Sequence, residues 1–173
     1  MIFMTIQILP PDEAAKKAKE RVAEWKRQRE IDGAKARIEE RTLKMRLGIQ
    51  LIEAAKQGDT ELMKRLIERG ADVKAKCEKG WTALMWTSSN GCIEIAEMMI
   101  ENGADVNARS SIGFSALICA VMENQTNTAE MLIKRGADVN ARSDDGKTAL
   151  WWARTKGRNT DMVELLIKHG AVE

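Results

Sequence analysis

Few residues in this chain have the type and spacing to do covalent or metal chemistry. Gly146-Lys147-Thr148 matches the tail of a phosphate-binding loop, where backbone amides and a lysine cradle phosphate oxygens. The glycine needed five residues earlier is missing, because Ala141 stands there, and the triplet falls on a turn. Cys77, Cys92 and Cys119 form no CxxC pair and have no nearby histidine, so they read as small buried or half-buried side chains. The single histidine, His169, is too little for histidine-based metal or acid–base chemistry. Asp144 and Asp145 read as a solvated turn. Asn124-Gln125-Thr126 fits the glycosylation acceptor pattern, but the odd, unpaired cysteine set suits a reducing cytoplasm. With no nucleophile–base pair and no ligand cluster, the expectation is no enzyme, no metal, no cofactor and no small-molecule substrate.

The chain has 173 residues, 44% of them apolar and 31% charged, enough apolar material for a core. A net charge of +2 removes the usual argument for nucleic-acid binding over the whole surface. Residues 1–9 are uncharged and apolar except for Thr5 and Gln7. They are too few to span a membrane and lack the basic start of a signal peptide, so no membrane is expected. Ile2, Met4, Ile6 and Ile8 alternate as in a strand. Five tryptophans and two phenylalanines stand against no tyrosine, so the aromatic residues are the remaining candidates for a functional role.

The elements that must position those residues divide at residue 46. Residues 12–46 hold twelve basic and eight acidic residues, a mildly basic arm preceding a mildly acidic body. Pro10-Pro11 followed by Asp12-Glu13 marks a helix start, since proline suits the first turn and acids favour the positive end of the dipole. Ala15, Ala18, Val22 and Trp25 form one apolar stripe; Ile31, Ala34, Ile38, Met45, Ile49 and Ile52 form another, out of phase with the first. The slip at Asp32-Gly33 predicts two helices, about 11–31 and 34–47, or one bent helix. The arm serves either as a partner-binding or oligomerising helix or as a cap on the body.

Residues 47–173 are periodic. Gly-Ala-Asp-Val begins at Gly70, Gly103 and Gly136, with a shortened copy at Gly170. Gly80-Trp81-Thr82-Ala83-Leu84, Gly113-Phe114-Ser115-Ala116-Leu117 and Gly146-Lys147-Thr148-Ala149-Leu150 keep the same 33-residue step. Thr82, Ser115 and Thr148 stand where a hydroxyl can cap a helix. Gly58, Gly91 and Gly157 end the first helix of a unit, and Gly70, Gly103 and Gly136 the second. Each unit is helix–turn–helix–loop and cannot bury its own apolar face, so stability must come from stacking.

On these residues, 48–173 resembles ankyrin repeats. Gly80–Ala108, Gly113–Ala141 and Gly146–Ala171 follow the family's consensus, and Leu47–Ala75 is similar to a capping repeat. The resemblance implies an all-α ankyrin solenoid of four repeats (47–79, 80–112, 113–145, 146–173) after a helical extension (1–46). Met85, Ile118 and Trp151 replace the family's histidine, which puts its bonds between loops in doubt, and Asn124 replaces a turn glycine, which predicts an irregular turn. In the family the turn tips and first helices form a concave recognition face. Carried over, that face includes Lys79, Trp81, Ile112, Phe114, Met122 and Lys147; Trp86 and Trp152 follow at matching helix positions, where a place in the core is the alternative. Trp81, Ile112 and Phe114 are large and apolar where a solvated surface prefers polar groups. The leading expectation is a non-enzymatic module binding another protein through this face; the alternative is a self-assembling homo-oligomer, natural or engineered, with a scaffold role.

Overall fold

The computed structural model describes residues 10–155 and 160–172. The alternating pattern of residues 1–9 and the helix-ending Gly157 lie outside them. Eight helices run along the described chain: α1 (Pro11–Gln57), α2 (Thr60–Glu68), α3 (Ala83–Ser89), α4 (Ile93–Glu101), α5 (Ala116–Met122), α6 (Thr126–Lys134), α7 (Ala149–Thr155) and α8 (Thr160–Lys168). There are two compact units, residues 1–42 and residues 43–173. None of the helices of the described residues is long and apolar enough to cross a membrane.

The first unit takes the single-helix alternative in place of two helices meeting at Gly33. Helix α1 passes through Asp32-Gly33 unbroken, and Gly33 is not among the glycines with positive φ. An interior glycine costs a helix about 1 kcal/mol relative to alanine. Ending the helix there would leave several carbonyls and amides to be capped, a larger loss. Between residues 11 and 42 every side chain is exposed except at Gly33 and Ala34, which are half-buried. Gln28 donates to Asp32 Oδ1 across one turn at 2.9 Å, and the Arg29 guanidinium lies 4.8 Å from the Trp25 ring centre.

In the second unit burial begins at Leu47, and the last turns of α1 serve as the first helix of the first repeat. Gly48 is required there. A Cβ on it would stand 2.7 Å from both Ala75 Cβ and the Asp72 carbonyl oxygen. Each repeat adds two helices, and the core runs through them as one cluster from Leu51 and Met63 through Met85, Met99, Ile118 and Leu132 to Leu150 and Leu166. Thr82, Ser115 and Thr148 cap as expected, accepting from the amides of Met85, Ile118 and Trp151 at 3.2–3.3 Å.

The turn at Asn124 is regular, contrary to expectation. Asn124 adopts φ 59°, close to the 72° and 74° of Gly58 and Gly91 at the matching turns. Gln125 then donates to the Ala120 carbonyl just as Cys92 does to Thr87. Asparagine tolerates the left-handed region better than other side chains do, so it replaces glycine without disturbing the turn.

Asparagines also tie neighbouring repeats together. Asn107 donates to the Gly136 carbonyl at 3.0 Å and accepts from the Asp138 amide at 2.8 Å. Asn140 repeats the pair with Gly170 and Val172 at 3.0 and 2.8 Å. At the corresponding place the first repeat has Lys74.

Candidate functional site

The turn before each first helix places its residue beside the first helix of that repeat and against the next repeat. Trp81 and Phe114 hold this place in the second and third repeats, and Lys147 in the fourth. The first helices add Trp86 from α3 and Trp151 and Trp152 from α7. The result is one continuous row of rings. Trp81 stacks on Trp86 with centroids 4.7 Å apart and meets Phe114 edge-on at 6.2 Å. Phe114 meets Trp152 at 5.9 Å, and Trp152 meets Trp151 at 4.9 Å. Such offset and edge-to-face contacts suit the ring quadrupole and add about 0.5–1.5 kcal/mol per pair beyond burial.

Lys147 closes the row, its ammonium 4.4 Å from the Trp151 ring centre and 5.2 Å from that of Trp152. A carboxylate holds the cation in place: Lys147 Nζ lies 2.8 Å from Asp145, whose other oxygen accepts from the Ser143 hydroxyl. The hydrogen bond from Lys147, and then that from Ser143, keep the Asp145 carboxyl below the usual carboxylate range.

Four of the five rings are half-buried, and Trp151 is 40% exposed. In earlier repeats the Trp151 position is taken by Met85 and Ile118, both wholly buried. The indole N–H groups of Trp86 and Trp152 are buried without a hydrogen-bond partner. Leaving such a donor unpaired costs about 1–3 kcal/mol, an unusual expense in a repeat whose backbone is otherwise well paired.

The structure thus brings together Trp81, Trp86, Phe114, Trp152 and Lys147 of the residues carried over from the family pattern. Ile112 is 48% exposed in the loop before Phe114, with its carbonyl accepting from the Asp144 amide. Lys79 is exposed and contributes through its backbone, its carbonyl accepting from both the amide and the hydroxyl of Ser111. Met122 sits half-buried at the end of α5. Neither Ile112, Lys79 nor Met122 stands in the row of rings. Trp151 does, and its sequence signal was adjacency to Trp152 and a four-residue step from Lys147.

The described residues hold no group of three metal-capable side chains. Cys119, the most buried thiol, is pushed up to about 12 by burial, so it stays protonated.

Stacked helical pairs carrying a side-chain row at one fixed place per unit define the class: a repeat solenoid whose units share one face. A family model of three ankyrin repeats matches residues 51–143, and a single ankyrin repeat matches residues 145–173. The chain belongs to the ankyrin repeat family. Ankyrin repeats are generally protein–protein interaction modules and are typically non-enzymatic. A search of curated proteins found no match.

Proposed function

We propose that this protein is a non-enzymatic binding module of four repeats, 47–79, 80–112, 113–145 and 146–173, that engages another polypeptide along the row from Trp86 to Trp151, on the concave side of the array. The observation that carries the reading is the row itself: five rings in unbroken succession across three repeats, four of them half-buried and Trp151 exposed. A core needs no such alignment, since packing is satisfied by any apolar side chain of suitable volume. Tryptophan and other large aromatics are the side chains most often found at the energetic centre of interfaces. Lys147 places a cation at one end of the row, over Trp151 and Trp152, and Lys79, Ile112 and Met122 are proposed as further contacts on the same face.

Site-specific photo-crosslinking tests this reading. A benzophenone side chain at Phe114 should capture a polypeptide with good yield, whereas the same group at the exposed Glu68 on α2 should not. Equal capture at both positions, or none at either, would refute a binding role for the row.

A further inference from the structure

The binding role just proposed leaves open the chemistry of the partner, and a cavity at the Trp151 end of the row narrows it. The cavity, about 370 Å³, is lined by Arg142, Gly146, Thr148, Trp151, Arg154 and Thr155. Trp151 belongs to both the row and the cavity, so a chain lying on the last ring borders it. Of the six residues the two arginines are the charged ones, and both are exposed. In earlier repeats the place of Arg154 is held by Ser88 and Val121, and that of Trp151 by Met85 and Ile118, all of them buried. The fourth repeat thus puts a cation and a ring where the others have core. Arg142 is held at the cavity wall by donating to the Gly146 carbonyl across its own turn at 3.1 Å. The two carboxylates of that turn face other cations: Asp144 lies 3.4 Å from Arg109, and Asp145 2.8 Å from Lys147.

We propose, resting on that binding role, that the cavity takes the carboxylate of an aspartate or glutamate side chain of the bound polypeptide, between the guanidiniums of Arg142 and Arg154 and with its stem against Trp151. Charge and geometry both favour this occupant. Guanidiniums grip carboxylates through paired, coplanar N–H donors, which an ammonium or a hydroxyl does not match. An apolar group laid over the cavity would strip water from two cations and offer them no acceptor, the costliest kind of burial. A basic group would add a third cation beside them. The partner is therefore an acidic segment whose apolar residues lie toward Phe114 and Trp81 and whose carboxylate lies at the Trp151 end.

The test selects random peptides displayed on phage against the full chain. The enriched sequences should carry an aspartate or glutamate beside apolar residues, and that acidic preference should vanish when selection is repeated on Arg142→Gln/Arg154→Gln. One enriched peptide, labelled and amidated, should bind about tenfold more weakly when its acid is changed to the corresponding amide, or when the two arginines become glutamines. Both changes together should cost no more than either alone, because they remove one contact. Where the double variant loses helical circular dichroism, Arg154→Gln alone carries the test, since Arg154 is exposed. Enriched peptides without acids, an acidic preference indifferent to loss of the arginines, additive losses, or no enrichment at all each overturn the proposal. Inorganic phosphate that binds the chain as tightly as the peptide would assign the cavity to a free anion and overturn it too. If Phe114 still crosslinks to a polypeptide after any of these results, the acidic contact falls and the binding role stands. Crosslinking that also fails removes the two together.

Discussion

Lys74→Asn should stabilise the array, and the structure sets the size of the effect. In the second and third repeats the residue after Asp-Val is an asparagine whose side chain makes two bonds to the following repeat, each of 2.8–3.0 Å. At Lys74 the corresponding targets are the Gly103 carbonyl and the Asp105 amide, by the same 29- and 31-residue offsets that join Asn107 to Gly136 and Asp138. The lysine stem already lies along this place, with Cε 3.9 Å from where a Gly103 Cβ would stand. Two exposed hydrogen bonds contribute about 0.5–1.5 kcal/mol each, less what the lysine stem loses in packing, for a net gain of about 1 kcal/mol. In a stacked array that gain acts on the coupling between the first and second repeats. For a chain this long it should raise the melting temperature by about 2–4 °C. Urea unfolding followed by circular dichroism should show a higher midpoint with an unchanged slope, and Asn107→Ala should lower the midpoint by a similar or larger amount. A Lys74→Asn midpoint at or below that of the parent would show that these asparagines do not couple the repeats.

Other substitutions test other parts of the fold. Gly33→Ala meets no atom within 4 Å and should add about 1 kcal/mol of helix stability, seen as more helical signal kept on heating. Gly48→Ala should instead cost about 1–3 kcal/mol by forcing its methyl against Ala75 and the Asp72 carbonyl; equal effects at the two glycines would contradict the packing described. Asn124→Ala should cost about 1 kcal/mol while Asn124→Gly is tolerated, because only the alanine pays for the left-handed turn; denaturation midpoints decide. Iodoacetamide at pH 8 should label the half-buried Cys77 and Cys92 in the native protein and spare Cys119 until it unfolds, since burial shields the Cys119 thiol and pushes it up to about 12, leaving almost no thiolate at pH 8; mass spectrometry of native-labelled Cys119 would refute its burial.

Much of this architecture is legible in the amino-acid sequence alone, because its signals are local. The 33-residue beat, the capping hydroxyls of Thr82, Ser115 and Thr148, and the glycines that end the helices each act within a few residues. Even the start of burial at Leu47 was readable from where the repeat pattern begins. The aromatic residues Trp81 and Phe114 stood out for their size at turn positions, but not for what they touch. Three features needed the tertiary structure. The continuity of α1 through Gly33 turns on a difference of about 1 kcal/mol that a phase slip in apolar residues does not measure. The work of Asn107 and Asn140 between repeats depends on groups about 30 residues away. The row from Trp86 through Trp81, Phe114 and Trp152 to Trp151, with two indole N–H groups left unpaired, arises because stacking brings side chains from three repeats into contact. Local propensity sets each unit; the distances between units follow from packing, which no single repeat encodes.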